Sequence, residues 1–430
     1  MSEPLPQGAR GPLSTGTWTA LENQVFRNFW LFSFFAFVGA SMQTVGAGWL
    51  MTELDPSPSK VALVQAAFSL SAFAMGLPAG VIADLVDRRW VMLASLASLM
   101  LFAGVLGLVT LAGWITPNLL ILLTFLFGLA AATVTPAMQA TMPDLVPREQ
   151  LPSALTLNGM NNSIARAVGP GLAGLILGVW GAGWMFVLNV VTFIGLLVVI
   201  LLWRNRPPPE RGAATRFRHA LREGMSFMIR QRPLRQLLFK MSLNFLMISI
   251  LLALVPSVAA TLLDGRPQTL GLLLAWFGVG SVVGSFLLGA LYRRLSRSQV
   301  IDLATVTHAI AVLIIGLSSQ KYLSAVATFL AGLSWTAIMT SINIVAQMLL
   351  PARLRARGLS INMVATMGSL ALGAAIWGQV AEFYGLRNAF LVAAVGGFMM
   401  PVVTSRFRLV EELDDGGASA ESSKVAKDSV

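Results

Sequence analysis

Apolar runs dominate the chain. Twelve of them are long enough to cross a bilayer core, which takes about 20 residues of helix: 26–51, 60–83, 90–113, 117–141, 153–179, 183–203, 237–262, 269–292, 299–318, 322–348, 357–381 and 387–405. The joints between them carry breakers or charges, such as Asp55-Pro56-Ser57-Pro58, Thr116-Pro117-Asn118 and Asp264-Gly265-Arg266-Pro267. They predict an all-α integral membrane protein of twelve transmembrane helices. The fifth run, 153–179, is the exception in character. Arg166 sits in its middle, where an arginine costs roughly 3 kcal/mol on insertion scales. Asn158, Asn161, Asn162 and Ser163 lie close by, and Gly169-Pro170-Gly171-Leu172-Ala173-Gly174 follows. Asn158, Asn162 and Arg166 are spaced by four and share one helix face. A polar, charged stripe on such a helix points to a solute pathway, with Arg166 drawing an anion or a coupling carboxylate. An arginine that only ties helices together is the structural alternative.

Basic residues orient the runs. The loops opposite the termini hold Lys60, Arg266, Lys321 and Arg387, and the other basic residues outside Arg166 fall on the terminal side. That side is expected to be cytoplasmic. The formal net charge of +11 is thereby a topology signal, and no nucleic-acid partner is needed to explain it. Charged residues make up only 11% of the chain and hydrophobic ones 56%, far from the roughly 25% charged share of soluble domains. The absence of cysteine and the presence of only two histidines, His219 and His308, exclude disulfides and thiolate metal sites and argue against any metal or cofactor. His308 is expected to be packed and neutral. The first 25 residues show no removable signal peptide. Neither a nucleotide loop nor a nucleophile elbow is present, so the chain does not read as an enzyme.

The organisation is therefore a cytoplasmic segment (1–25), a six-helix bundle (26–203), a linker (204–236), a second six-helix bundle (237–408) and a disordered tail (409–430). The linker carries nine arginines. Phe217, Leu221, Met225 and Met228 recur in it at helical spacing, as in a basic amphipathic helix on the inner leaflet. Trp49, Trp90, Trp114, Trp184 and Trp203 lie near run ends and are expected to anchor at the interface.

The two bundles repeat at an offset of 204 residues. Ala154-Leu155-Thr156-Leu157-Asn158 aligns with Gly358-Leu359-Ser360-Ile361-Asn362, Gly169 with Gly373, Gly174 with Gly378, and Gln139 with Asn343. Parallel repeats around a midplane site are the mark of an alternating-access carrier. Gln43, Gln139, Asn244, Asn343, Asn362 and Thr366 are further polar groups inside apolar runs. Each is a candidate for the pathway lining or for hydrogen bonds between helices. The acids Glu53, Asp55, Asp302 and Glu382 lie only near run ends, so a central proton carrier is not evident.

At these residues the chain resembles the major facilitator superfamily. The loop after the second run reads Gly80-Val81-Ile82-Ala83-Asp84-Leu85-Val86-Asp87-Arg88-Arg89, similar to the superfamily signature except for Leu85 in place of arginine. The stretch Pro143–Asn158, the Ala165–Pro170 segment and Leu221–Pro233 resemble the branch of bacterial enterobactin exporters. The resemblance covers roughly residues 20–408. It implies two pseudo-symmetric six-helix bundles, with Gly80, Asp84, Arg88 and Arg89 as a cytoplasmic gate and Gly169, Pro170 and Gly174 as a helix-bend motif associated with export. It further implies a monomer in the inner membrane of a bacterium, exporting a small amphipathic or anionic compound, siderophore-like or drug-like, in exchange for protons. Import or facilitated passage of an organic anion on the same fold, and a non-transporting sensor, stay open.

Overall fold

A computed structural model describes residues 18–76, 78–79, 82, 86–203, 226–351 and 354–405. The described chain is helical, without strands, and its long apolar helices are those of a multi-pass membrane protein. In the first bundle these are α1 (Gln24–Leu54), α2 (Pro58–Met75), α3 (Arg88–Leu111) and α4 (Pro117–Leu145). A continuous helical run, Leu151–Leu202, follows. Its 52 residues would be more than twice the length of one span. Gly181 divides it, with φ 75° and ψ 175°, a conformation open to glycine because it lacks a β-carbon. The limbs are α5 (151–180) and α6 (182–202). The second bundle comprises α7 (Arg232–Ser257, extended by a π turn), α8 (Pro267–Leu291), α9 (Arg297–Leu317), α10 (Lys321–Leu349), α11 (Arg355–Tyr384) and α12 (Leu386–Thr404).

Helix starts follow local chemistry. Asn23 accepts from the Val25 and Phe26 amides at the head of α1, Asp87 caps α3, Thr116 caps α4, and Ser296 with Gln299 forms a capping box on α9. Prolines stand in the first turn of α2, α4, α5, α7 and α8, where their missing N–H has no helical partner to lose.

The internal repeat is visible in backbone geometry. Gly385 joins α11 to α12 with φ 85° and ψ 152°, matching Gly181 at the offset of 204. Close contacts repeat as well. A β-carbon on Gly169 would meet Ser41 and the Val38 carbonyl, and one on Gly373 would meet Ser249 and the Leu246 carbonyl. Gly107 packs against the Gly183 carbonyl on one side of the pseudo-symmetry, and Gly316 against the Arg387 carbonyl on the other.

The cores show how the halves meet. At the end where α1 begins and α12 finishes, each bundle has its own core. One contains Phe26, Met92, Met138, Leu157 and Phe193, the other Leu234, Met241, Ile301, Ile342 and Ile361. At the far end a single core joins both halves, from Met42, Trp49, Val61 and Leu177 to Leu254, Leu270, Ile315 and Trp377. The described hydrogen bonds between the halves also lie there, from Ser57 and Ser59 to Glu382. The halves thus converge at the far end and part toward the end bearing the termini.

Three expectations change here. Trp49 and Trp203 are packed inside the protein rather than set at the lipid interface, and Trp49 donates to Glu53 Oε1 at 2.6 Å. Trp90, Trp114 and Trp184 are exposed. Most of the linker lies outside the described residues, including Phe217, Leu221 and Met225, but Met228 is buried in the core of the second bundle and not laid on a leaflet.

Candidate functional site

The site is built on α5. One face of this helix packs on α1 through Ala154, Leu157, Asn161, Ala165 and Gly169, all buried. Asn161 Nδ2 donates to the Trp30 carbonyl at 2.8 Å, and Trp30 Nε1 returns a bond to the Leu157 carbonyl at 2.9 Å. A second face meets α8 of the other half. A β-carbon on Gly278 would lie 2.4 Å from Ala167 Cα, and one on Gly174 would lie 2.7 Å from Gly271 Cα. A third face exposes Ile164, Val168, Leu172 and Leu175, the apolar surface suited to lipid.

Arg166 is on none of these. At 100° per residue it lies about 160° around the helix from both Ile164 and Val168. It is nevertheless exposed. Its exposure is therefore to the gap between the halves, on the side that opens toward the termini. Arg166 Nε donates to Asn162 Oδ1 at 2.9 Å, the i−4 contact expected of that stripe. Among the described residues no carboxylate pairs with it. An arginine at this depth is oriented by one asparagine, and its outer nitrogens have no bond partner among the described residues.

The glycine motif sits directly after it. Backbone dihedrals stay helical through Pro170, so the motif's role in the structure is close packing: Gly169 on α1, Gly174 on α8. Pro170 also lacks the N–H that would close on the Arg166 carbonyl. That carbonyl instead faces Gly278, where a β-carbon would approach to 2.7 Å.

The other polar candidates divide. Asn158 is half-buried on the same stripe, two turns before Arg166, with its Oδ1 buried and unpartnered among the described residues. Asn362, its repeat mate, is buried, donates to Asn343 Oδ1 at 3.3 Å, and likewise leaves its own Oδ1 without a partner. Gln139 is exposed and Asn343 half-buried. Three others are buried between helices. Gln43 accepts from Asn189 Nδ2 at 2.8 Å, binding α1 to α6. Asn244 donates to the Lys240 carbonyl and accepts from Thr305 Oγ1 at 2.7 Å, binding α7 to α9. Thr366 returns its hydroxyl to the Asn362 carbonyl of its own helix at 3.0 Å.

Gly80 and Asp84 lie outside the described residues. Arg88 and Arg89 hold the first bundle together. Arg88 Nη1 donates to the Ala140 carbonyl at 2.9 Å and faces Asp144 at 3.3 Å. Arg89 reaches the Ile200 and Leu201 carbonyls at the end of α6, where a cation suits the exposed carbonyls. Among the described residues neither bridges the halves.

One ion pair was not anticipated from sequence. Lys240, 2% exposed in α7, contacts Asp302 of α9 at 2.7 Å and Ser298 at 3.4 Å. Aligned through the repeated contacts at Ser41 and Ser249 and at Gly107 and Gly316, the matching positions of the first bundle are the apolar Phe32 and Leu93. Lys240 inside the apolar run Leu237–Met241 was the available signal. His308 is buried in the same helix, α9.

Comparison with known proteins now places this geometry. The sequence profile of the transmembrane secretion effector family matches residues 15–427. The chain belongs to that family. It is similar to macrolide efflux protein A of Enterococcus faecalis, at 25% identity over 59% of this chain and 80% of that protein. It is also similar to the staphyloferrin A transporter of Staphylococcus aureus (22%, covering 86% and 93%) and to the multidrug efflux pump Tap of Mycolicibacterium fortuitum (26%, covering 87% and 94%). The fold matches that of the nucleoside transporter NupG, with a TM-score of 0.77 at 12% identity over 89% of this chain and 100% of that one. The protein is thus a major facilitator transporter with efflux relatives, and not an enzyme.

Proposed function

We propose that the protein exports a small amphipathic or anionic compound, siderophore-like or drug-like, from the cytoplasm by alternating access. The carrying observation is Arg166: exposed in the gap between the halves, held by Asn162, with no described carboxylate to neutralise it. A protein cation in low-dielectric surroundings attracts an anion strongly. Asn162 beside it and Asn158 farther along the stripe, with Gln139, Asn343 and Asn362 as further polar groups, suit a solute that mixes apolar area with hydrogen-bonding groups. The terminus-bearing end is the cytoplasmic one, since the basic residues concentrate there. The described conformation, open at that end and closed at the far one, is then the cytoplasm-facing state. A bacterial cytoplasmic membrane and a monomeric protein fit the family. The far end closes through Ser57 and Glu382, and the reverse state would close through the Gly80–Arg89 loop.

Proton exchange is the proposed drive. Asp302, near the start of α9, is paired with the almost fully buried Lys240, so it is the first candidate for handling a proton. The deciding experiment is uptake into inverted membrane vesicles of a siderophore and a macrolide, with and without an imposed pH gradient. Uptake that rises with an acidic lumen and falls in Arg166→Ala supports the reading. Accumulation only in right-side-out vesicles would make the protein an importer of organic anions, and no flux of any solute would leave a sensor.

A further inference from the structure

Two observations meet at the far end of α2. Ser57 is the residue before its first turn, yet its hydroxyl does not cap the helix. It donates instead to Glu382 Oε2 at 2.6 Å and lies 2.8 Å from Ser59 Oγ. The same Glu382 oxygen accepts from the Ser59 amide at 3.4 Å. Glu382 belongs to α11 of the other half. A carboxylate at a helix N-terminus satisfies amides that have no partner inside the helix and complements its dipole. Here that carboxylate comes from across the seam. The receiving loop is held in shape independently. Lys60 pairs with Asp55, and Asp55 Oδ1 accepts from the Ser57 amide at 3.1 Å. Behind the contact the helices touch closely, with a β-carbon on Gly378 falling 2.6 Å from Ala62 Cβ.

We propose that Glu382 is the outer latch of the transporter: it caps α2 across the seam while the outer end is closed and lets go when that end opens. The latch rests on the alternating-access reading above. Its chemistry is state-dependent in a way the surrounding apolar contacts are not. In the closed state one carboxylate serves two donors. Glu382 is already exposed at the seam, so in the open state water takes over its donors, the Ser57 hydroxyl is free to cap its own helix, and the opening is not blocked by an orphaned charge. The latch therefore sets the balance between the two states without touching solute. Ser57 is the matching half of the device, and Ser57→Ala is expected to act in the same direction as loss of Glu382.

The chain contains no cysteine, so spin labels can be placed directly at Asn118→Cys and Gln320→Cys, both exposed at the outer end of opposite halves. Pulsed dipolar spectroscopy of the full-length protein in lipid then reads outer opening as a longer distance. Glu382→Ala is expected to raise the longer component by about three- to tenfold relative to wild type, the range of a lost helix cap. Glu382→Gln, which keeps an acceptor but not the charge, is expected to fall between them. Ser57→Ala combined with Glu382→Ala is expected to add little to either alone. A distribution in Glu382→Ala identical to wild type, with both components present, overturns the latch alone. A single short distance in every variant, with or without transported solute, overturns the latch together with alternating access.

Discussion

Gly174 and Gly271 face each other across the two halves with no space for a side chain: a β-carbon on Gly174 would sit 2.7 Å from Gly271 Cα and 2.9 Å from the Pro267 carbonyl. Backbone is on both sides of this contact, so neither partner can swing away. Small residues allow such approach in membranes, where packing and not the hydrophobic effect holds helices together. Gly174→Ala should strain the closed seam by about 1–3 kcal/mol, which corresponds to a shift of roughly five- to 150-fold in the balance of states. Transport is expected to slow accordingly. Gly104→Ala, whose β-carbon would meet only Val190 at an ordinary 3.6 Å, is the control and should transport normally. Equal rates for both variants in vesicle flux would show that the glycine contact does not limit the cycle.

The Lys240–Asp302 pair makes a different prediction. Lys240 is almost fully buried while Asp302 keeps about a third of its side-chain surface. Removing the acid strands a buried cation, whereas removing both charges does not. Asp302→Leu is expected to destabilise the second bundle by about 1–3 kcal/mol, below the full cost of breaking a buried pair because water reaches the carboxylate. Lys240→Met with Asp302→Leu should recover most of that loss. Thermal melting in detergent gives the stability order, and vesicle flux with and without a pH gradient shows whether the recovered double variant lacks the proposed proton-driven uptake. A double variant that is both stable and fully coupled would remove Asp302 from the proton pathway.

Much of the fold could be read from the sequence because each of its signals is local. Apolar run length gives the spans, Gly181 and Gly385 fall in the gaps between them, and the offset of 204 announces the repeat. The polar stripe of α5 is likewise local, since four-residue spacing fixes one face. What the sequence left open was which neighbour each polar residue meets. Gln43 and Asn158 look alike in sequence, but one lies between α1 and α6 against Asn189 and the other leaves its Oδ1 without a described partner. Ser57 and Glu382, and Lys240 and Asp302, are pairs made by topology, between residues far apart in the chain. Trp49 stands at a span end and would suit the lipid interface, but the shared outer core encloses it.

The loop from Asp55 to Lys60 should tolerate acid. The Asp55 carboxyl is held below its ordinary value of 3.8, first by the hydrogen bond from Lys60 and next by the Ser57 amide, with burial opposing them. A depressed carboxylate contributes fully above its unfolded value and loses its contribution as pH falls through the lower folded one. Hydrogen exchange at the amides of residues 55–60, corrected for intrinsic rate, should therefore be constant between about pH 5 and pH 8 and loosen only below the ordinary carboxylate range. In Lys60→Ala the loosening should move up toward that range. A wild-type transition above pH 5 would show that some other group holds the loop.

Arg166 carries the proposed function, and its setting predicts how variants divide. Its guanidinium is exposed to the gap and bonded through Nε to Asn162, so it holds no second helix in place through a described bond. Arg166→Ala removes an unfavourable charge from bilayer depth and should leave a folded, inserted protein whose melting temperature is unchanged or higher. Transport of an anionic solute should fall by about tenfold or more, the scale of losing one charge-assisted contact. Arg166→Lys keeps the charge without the planar fork. If the attraction is chiefly electrostatic, lysine should recover part of the flux, and a neutral solute should be little affected by either variant. Asn162→Ala should act in the same direction as Arg166→Ala but more weakly, because it frees the guanidinium without removing it. Poor folding of Arg166→Ala that lysine does not rescue would make the residue structural. Wild-type flux in both variants would take it out of the pathway. Melting beside vesicle flux for wild type and the three variants separates these outcomes.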